Sequence, residues 1–128
     1  PMLDDREPAI PNPGTGEFIW TAASNRFAWS CLLGAQSGGA DVSPYAAPAR
    51  ATDLTGLPPT FISVGALDLF LDENVDFASR LARAGVPVEL HVYPGAYHAF
   101  EMAGDTSVSR RAWEDRRAAL IAALSLPG

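Results

Sequence analysis

Apolar positions recur at helical spacing over residues 20–33, where Trp20, Ala23, Phe27 and Cys31 stand at i, i+3, i+7 and i+11 on one face. Gly34 follows as the stop. The period then changes. Residues 60–64 are a short apolar, β-rich run between Pro58-Pro59 and Gly65, which predicts a buried strand. A second helix follows, with Asp72 as its cap, Glu73 in a first turn that the helix dipole favours, and Val75, Phe77, Ala78, Leu81 and Ala82 turned inward. Asp76 and Arg80 make an exposed i, i+4 pair on it, and Gly85 ends it. Residues 86–93 alternate strictly, with Val88, Leu90 and Val92 on one face and Glu89, His91 and Tyr93 on the other. That alternation predicts a strand near the edge of a sheet. A last helix starts at Ser107 or Ser109 and reaches Leu124, its inward face formed by Trp113, Leu120, Ile121 and Leu124. Arg110 with Glu114 and Arg111 with Asp115 form its outer i, i+4 pairs.

The segments between these elements are rich in breakers. Residues 4–19 hold Pro8, Pro11, Pro13, Gly14 and Gly16 and read as a loop in which Asp4 and Asp5 serve a turn or cap. Residues 35–59 form a second loop, long for a compact domain, anchored by Val42-Ser43-Pro44-Tyr45 with Tyr45 tucked inward. Trp20 and Trp29 suit core packing better than an acyl pocket, and Cys31 reads as a small buried apolar residue. Pro1-Met2-Leu3 resembles the tail of a buried strand, so the chain is expected to begin inside a larger fold.

Strand, helix, strand, helix is an α/β order, and a right-handed crossover makes the two strands parallel. Ligand sites in such sheets lie beyond the carboxyl ends of the strands. Asp68 follows the first strand and His98 the second, so both belong on one rim.

Composition narrows the partners. The 128 residues are 48% hydrophobic and 19% charged, ordinary for a globular chain able to bury a core. A net charge of −6 argues against a nucleic-acid surface. No apolar run is long enough to span a bilayer, and no secretory signal opens the chain. One cysteine excludes an internal disulfide and suits a reducing, cytoplasmic setting. Two histidines and one cysteine are too few ligands for a His/Cys metal site, so no metal is expected.

Asp68 and His98 together offer a base and its orienter. The carboxylate accepts from one ring nitrogen, fixes the tautomer and stabilises the imidazolium formed when the base takes a proton. Pro94, Gly95 and Ala99 would hold the ring on a tight loop. Taken alone, an aspartate and a histidine in such places more often mark a structural histidine than a base. His91, inside a regular strand, reads as an ordinary strand-face residue, and Asp72, if it caps its helix, is unavailable to His98.

The wording of three segments adds to this. Leu57-Pro58-Pro59-Thr60, Gly65-Ala66-Leu67-Asp68-Leu69-Phe70-Leu71-Asp72-Glu73 and Tyr93-Pro94-Gly95-Ala96-Tyr97-His98-Ala99-Phe100 together resemble the hormone-sensitive lipase family of α/β-hydrolase esterases. Pro1-Met2-Leu3-Asp4-Asp5-Arg6 and Asp41-Val42-Ser43-Pro44 also look like that family, so the resemblance covers nearly the whole chain. It implies the C-terminal part of an α/β-hydrolase fold over residues 1–128, with Asp68 as triad acid and His98 as triad base. It also implies a serine carboxylesterase acting on short acyl esters without a cofactor. Ala99 departs from the family, which usually has glycine after the histidine.

The family's H-G-G-G oxyanion motif and its G-D-S-A-G-G elbow are absent from the sequence. Ala35-Gln36-Ser37-Gly38-Gly39 imitates an elbow, but a helix precedes Ser37 where an elbow needs a strand, so Ser37 reads as a loop serine. The nucleophile is therefore expected from a missing N-terminal portion of the same fold, and the chain alone is expected to be inactive. The competing class is a non-catalytic α/β module that self-associates through an exposed sheet edge.

Overall fold

The computed structural model describes residues 2–125. Its elements are α1 (Ala22–Leu33), β1 (Thr60–Gly65), α2 (Leu71–Arg83), β2 (Val88–Tyr93) and α3 (Ser107–Leu124), with 3₁₀ turns at Gly34–Gln36, Pro48–Arg50 and Phe100–Met102. β1 and β2 pair in parallel, Thr60 opposite Val88 and Gly65 opposite Tyr93. The α/β reading and the parallel crossover hold.

Helix α2 covers one face of this sheet. Ala78 and Leu81 meet Ile62 of β1, Leu54 of the long loop and Val86, with Val88 and Leu90 of β2 packed against them. Val86 lies before the strand, because its N–H turns back to the Leu81 carbonyl (3.1 Å) and Pro87 follows. Gly85 ends α2 at φ +80°, a conformation that suits glycine. Helix α3 lies on the opposite face, where Ala112 packs on Tyr93, Ala96 and Phe100. A third cluster joins Trp29 to Val42 and Ala47.

Several inward faces turn out differently. On α1 the buried side chain is Trp29, while Phe27 is 71% exposed and Cys31 is exposed. The 35–50 loop folds back on the Trp29 side and leaves the expected stripe open. On α3 the inward positions are Ser109 and Ala112, and Trp113, Leu120, Ile121 and Leu124 are exposed. Small residues face the sheet there because the Tyr93 and Phe100 rings already fill the gap. Tyr45 is fully exposed; Val42 anchors that loop instead.

Cap chemistry differs as well. Thr21 and Thr106 cap α1 and α3, their Oγ1 atoms accepting from Ser24 and Ser109 N–H. Asp72 does not cap α2. Phe70 occupies the N-cap without a side-chain bond, because the turn closed by Leu71 N–H on the Asp68 carbonyl (3.1 Å) starts the helix ahead of Asp72. The exposed pairing of Arg80 with Asp76 is loose at 3.9 Å. The guanidinium donates instead to the Ala49 carbonyl at 2.7 Å and to that of Ala51.

Residues 2–6 form no strand; Pro1 lies outside the described residues. Leu3 is buried, donates to Glu73 Oε1 (2.7 Å) and accepts from Ala49 N–H (3.0 Å). Burial is the main reason that the Glu73 carboxyl rises from 4.5 to about 7. A raised acid favours its protonated form in the folded chain, so this contribution is complete below pH 4.5 and is lost as pH rises through 7. Glu73→Gln is expected to flatten the stability profile across that window by on the order of 2 kcal/mol, read as denaturant midpoints from pH 4 to 8. Equal slopes in both proteins would count against the assignment.

Candidate active site

The carboxyl ends of β1 and β2 bring Asp68 and His98 together. His98 Nδ1 lies 3.1 Å from Asp68 Oδ2 and 3.3 Å from Oδ1. Asp68 Oδ1 also accepts the Phe70 N–H at 3.0 Å, which fixes the carboxylate before the imidazole meets it. Asp68 is 8% exposed. A buried carboxylate beside Nδ1 selects the tautomer that carries its proton there and leaves Nε2 able to accept. Among the described residues no hydrogen bond falls on Nε2.

Close backbone approach holds the two loops in register. Ala66 N–H donates to the Tyr93 carbonyl (2.9 Å) and Leu67 N–H to the Ala96 carbonyl (2.8 Å). A Cβ at Gly65 would stand 2.3 Å from the Ala96 oxygen, so glycine alone fits where the Asp68 and His98 loops meet.

Ala99 adopts φ +57° and ψ +28°, the left-handed region that disfavours a side chain. That geometry accounts for the glycine common in the resembling family. Ala99→Gly is expected to raise stability by about 1 kcal/mol, seen as a higher melting temperature. A lower one would mean that this loop gains nothing from relief of the strain.

Two aromatic rings flank His98, and the sequence alone links neither of them to it. The Phe70 ring stands edge-on to His98 at 5.4 Å, and the Trp20 ring lies 5.5 Å away, tilted 33°. Phe70 belongs to the segment that carries Asp68. Trp20 had no local signal, because it reaches His98 through the fold of the 4–19 loop. Trp20 also opens an apolar groove along α1, lined with Phe27, Ala28, Cys31 and Leu32.

The other candidates fall elsewhere. Ser37 follows the 3₁₀ turn after α1, and no strand precedes it among the described residues. No hydrogen bond joins it to His98 among the described residues. Asp72 is exposed and accepts from Asn12 Nδ2 at 3.4 Å. His91 is more engaged than an ordinary strand-face residue, its Nδ1 3.1 Å from Asp115 Oδ2 and its Nε2 2.7 Å from Glu89 Oε1. Tyr93 donates to the same Asp115 oxygen at 2.9 Å. Burial, then that carboxylate, pushes the Tyr93 phenol up, and the Tyr93 bond is the first cause holding Asp115 below the usual range. Asp115 therefore pins α3 to β2 while also meeting Arg111 at i, i+4, Nε to Oδ2 at 3.8 Å. Among the described residues no cluster of three or more metal-binding side chains exists, and no helix is long and apolar enough to cross a membrane.

Comparison with known proteins bears on the fold. Residues 1–102 match the family described as alpha/beta hydrolase fold. Esterase LipI of Mycobacterium tuberculosis is 47% identical over 45 residues, 35% of this chain and 14% of the relative. A bacterial heroin esterase structure superposes with a TM-score of 0.81 at 41% identity, over 88% of this chain and 37% of that one. A hormone-sensitive lipase from a metagenome library gives 0.56 at 32% identity, over 69% and 30%. The chain thus spans well under half the length of these relatives. With four-fifths of its length matched to one family, the chain belongs to the α/β-hydrolase fold family, within which it is similar to esterases and to a hormone-sensitive lipase.

Proposed function

We propose that this chain supplies the acid–base pair of a serine carboxylesterase acting on short acyl esters, in a cytoplasmic setting. The nucleophilic serine and the oxyanion donors come from residues outside 1–128. The observation that supports the reading most is the Asp68–His98 pair at 3.1 Å with Nε2 uncommitted. The esterase names of its relatives support the ester as substrate.

In this mechanism the serine Oγ attacks the ester carbonyl while His98 Nε2 takes its proton. The imidazolium returns that proton to the departing alcohol, leaving an acyl-serine. His98 then takes a proton from water, whose oxygen attacks the acyl carbon, and gives it back to the serine as the acid leaves. Asp68 keeps Nδ1 protonated throughout and stabilises each imidazolium. Proton and acyl transfers alone complete the cycle, so it calls on no cofactor.

Ser37 stays a loop serine in this reading. The chain alone is expected to hydrolyse a p-nitrophenyl ester no faster than its His98→Ala variant. Turnover that disappears in Ser37→Ala would overturn that. The exposed Phe27, Trp113 and Ile121 favour a second reading, a module that self-associates. Sizing chromatography of the same sample tests it, since one monomeric mass at every concentration removes that reading.

A further inference from the structure

Ile19 is the one β-branched residue at positive φ, +64°, among the described residues. Trp20 N–H donates to the Phe18 carbonyl at 2.7 Å, which closes a three-residue turn around it. Such a γ-turn is rare and strained, more so for a β-branched centre. The Ile19 side chain is 68% exposed, so its own burial does not offset the strain. What the turn achieves lies on either side of it. The Phe18 ring packs 5.9 Å from Tyr97 and the Trp20 ring 5.5 Å from His98, so two rings bracket consecutive residues of the base loop.

The bracket is tied at both ends. Gly16 N–H donates to the Leu67 carbonyl at 3.0 Å, joining the entering strand of loop to the acid segment. Trp20 Nε1 donates to Asn25 Oδ1 at 3.3 Å, which fixes the indole on α1. Strain held in place by surrounding structure tends to sit where geometry matters for function.

We propose that the turn Phe18, Ile19, Trp20 is a positioning element for the base, holding the His98 imidazole against Asp68 through the Trp20 ring. The proposal rests on the acid–base reading above. It makes Trp20 a positioning residue: the indole touches the base and takes no part in the proton transfers. Without it the imidazole keeps only the Phe70 edge at its side, swings away from Asp68 more often, and its proton shifts toward the nitrogen that water favours.

The tautomer of His98 reads this directly. In the chain as it stands, ring ¹⁵N shifts of the neutral imidazole should show Nδ1–H in excess, as the Asp68 bond requires. Trp20→Ala is expected to lower the Nδ1–H to Nε2–H ratio about tenfold, the factor one ring pair carries, while Trp20→Phe largely restores it. Ile19→Gly, which adopts the same φ without strain, should keep the ratio, and Ile19→Pro, whose ring fixes φ near about −65°, should lower it. Melting temperatures show which variants fold; if Trp20→Ala does not, the Ile19 pair decides. A normal ratio in folded Trp20→Ala or Ile19→Pro overturns the positioning role alone. A wild-type ratio equal to that of Asp68→Asn overturns the acid–base pair and this proposal with it.

Discussion

In the enzyme that carries the serine, His98→Ala should lower kcat/KM for a short activated ester by about 10⁴- to 10⁶-fold. The other histidine cannot take its place. His91 lies on the α3 face of the sheet, with both ring nitrogens engaged by Glu89 and Asp115. Asp68→Asn should cost about 10⁴-fold with the fold intact, because asparagine can donate to Nδ1 and stabilise the wrong tautomer. The Phe70 N–H would still find an oxygen at position 68, so the loss would come from the imidazole and not from the turn. The double variant should fall little below His98→Ala, since the two groups act as a unit. Initial rates under kcat/KM conditions decide this. A loss below tenfold for His98→Ala would end the assignment of His98 as base.

The parts of this site that were legible in sequence are those fixed by chain direction. Two parallel strands linked by one crossover must present their carboxyl ends on the same side, so Asp68 and His98 were placed together before any side chain was. What could not be read was anything that depends on a loop folding back. Trp20 reaches His98 because Gly16 docks on Leu67, and Gly16 was visible only as a breaker. Periodicity has a similar limit. It identified apolar stripes on α1 and α3 correctly as apolar, yet Phe27 and Trp113 stay exposed while Trp29 and Ala112 are buried. A helical period says which residues share a face, and says nothing of which face meets the next layer. The cap at Asp72 failed for a local reason: Asp68 turns the chain into the helix first.

The largest stability effect is expected at Asp5, a residue whose sequence context suggested only a turn. Its carboxylate is fully buried and takes two bonds from Arg50, Nε to Oδ1 at 2.7 Å and Nη2 to Oδ2 at 2.8 Å. Oδ2 also accepts the Gly38 N–H at 2.6 Å. Asp5→Ala strands the Arg50 charge, which is only 10% exposed, and leaves that N–H unpaired; the expected cost is about 3–5 kcal/mol. Asp5→Leu with Arg50→Met removes both charges and should recover most of the loss, because a buried pair is worth little against apolar residues of similar volume. The pH dependence separates this pair from a generic packing defect. Burial alone would raise the Asp5 carboxyl, but the Arg50 and Gly38 hydrogen bonds outweigh it and hold the group below its ordinary 3.8. A lowered acid contributes stability above its unfolded value and loses it as pH falls through the folded one. Glu73, raised to about 7, loses its share in the other direction, and both residues hold the same stretch, at Leu3 and at Asp5. Residues 2–6 should therefore be held best near about pH 4 to 5, between the two titrations. Hydrogen exchange of the Leu3 and Gly38 amides across that range measures it, and Asp5→Asn should remove the acid limb while leaving the Glu73 limb in place. If the acid limb survives in Asp5→Asn, the buried pair is not its source.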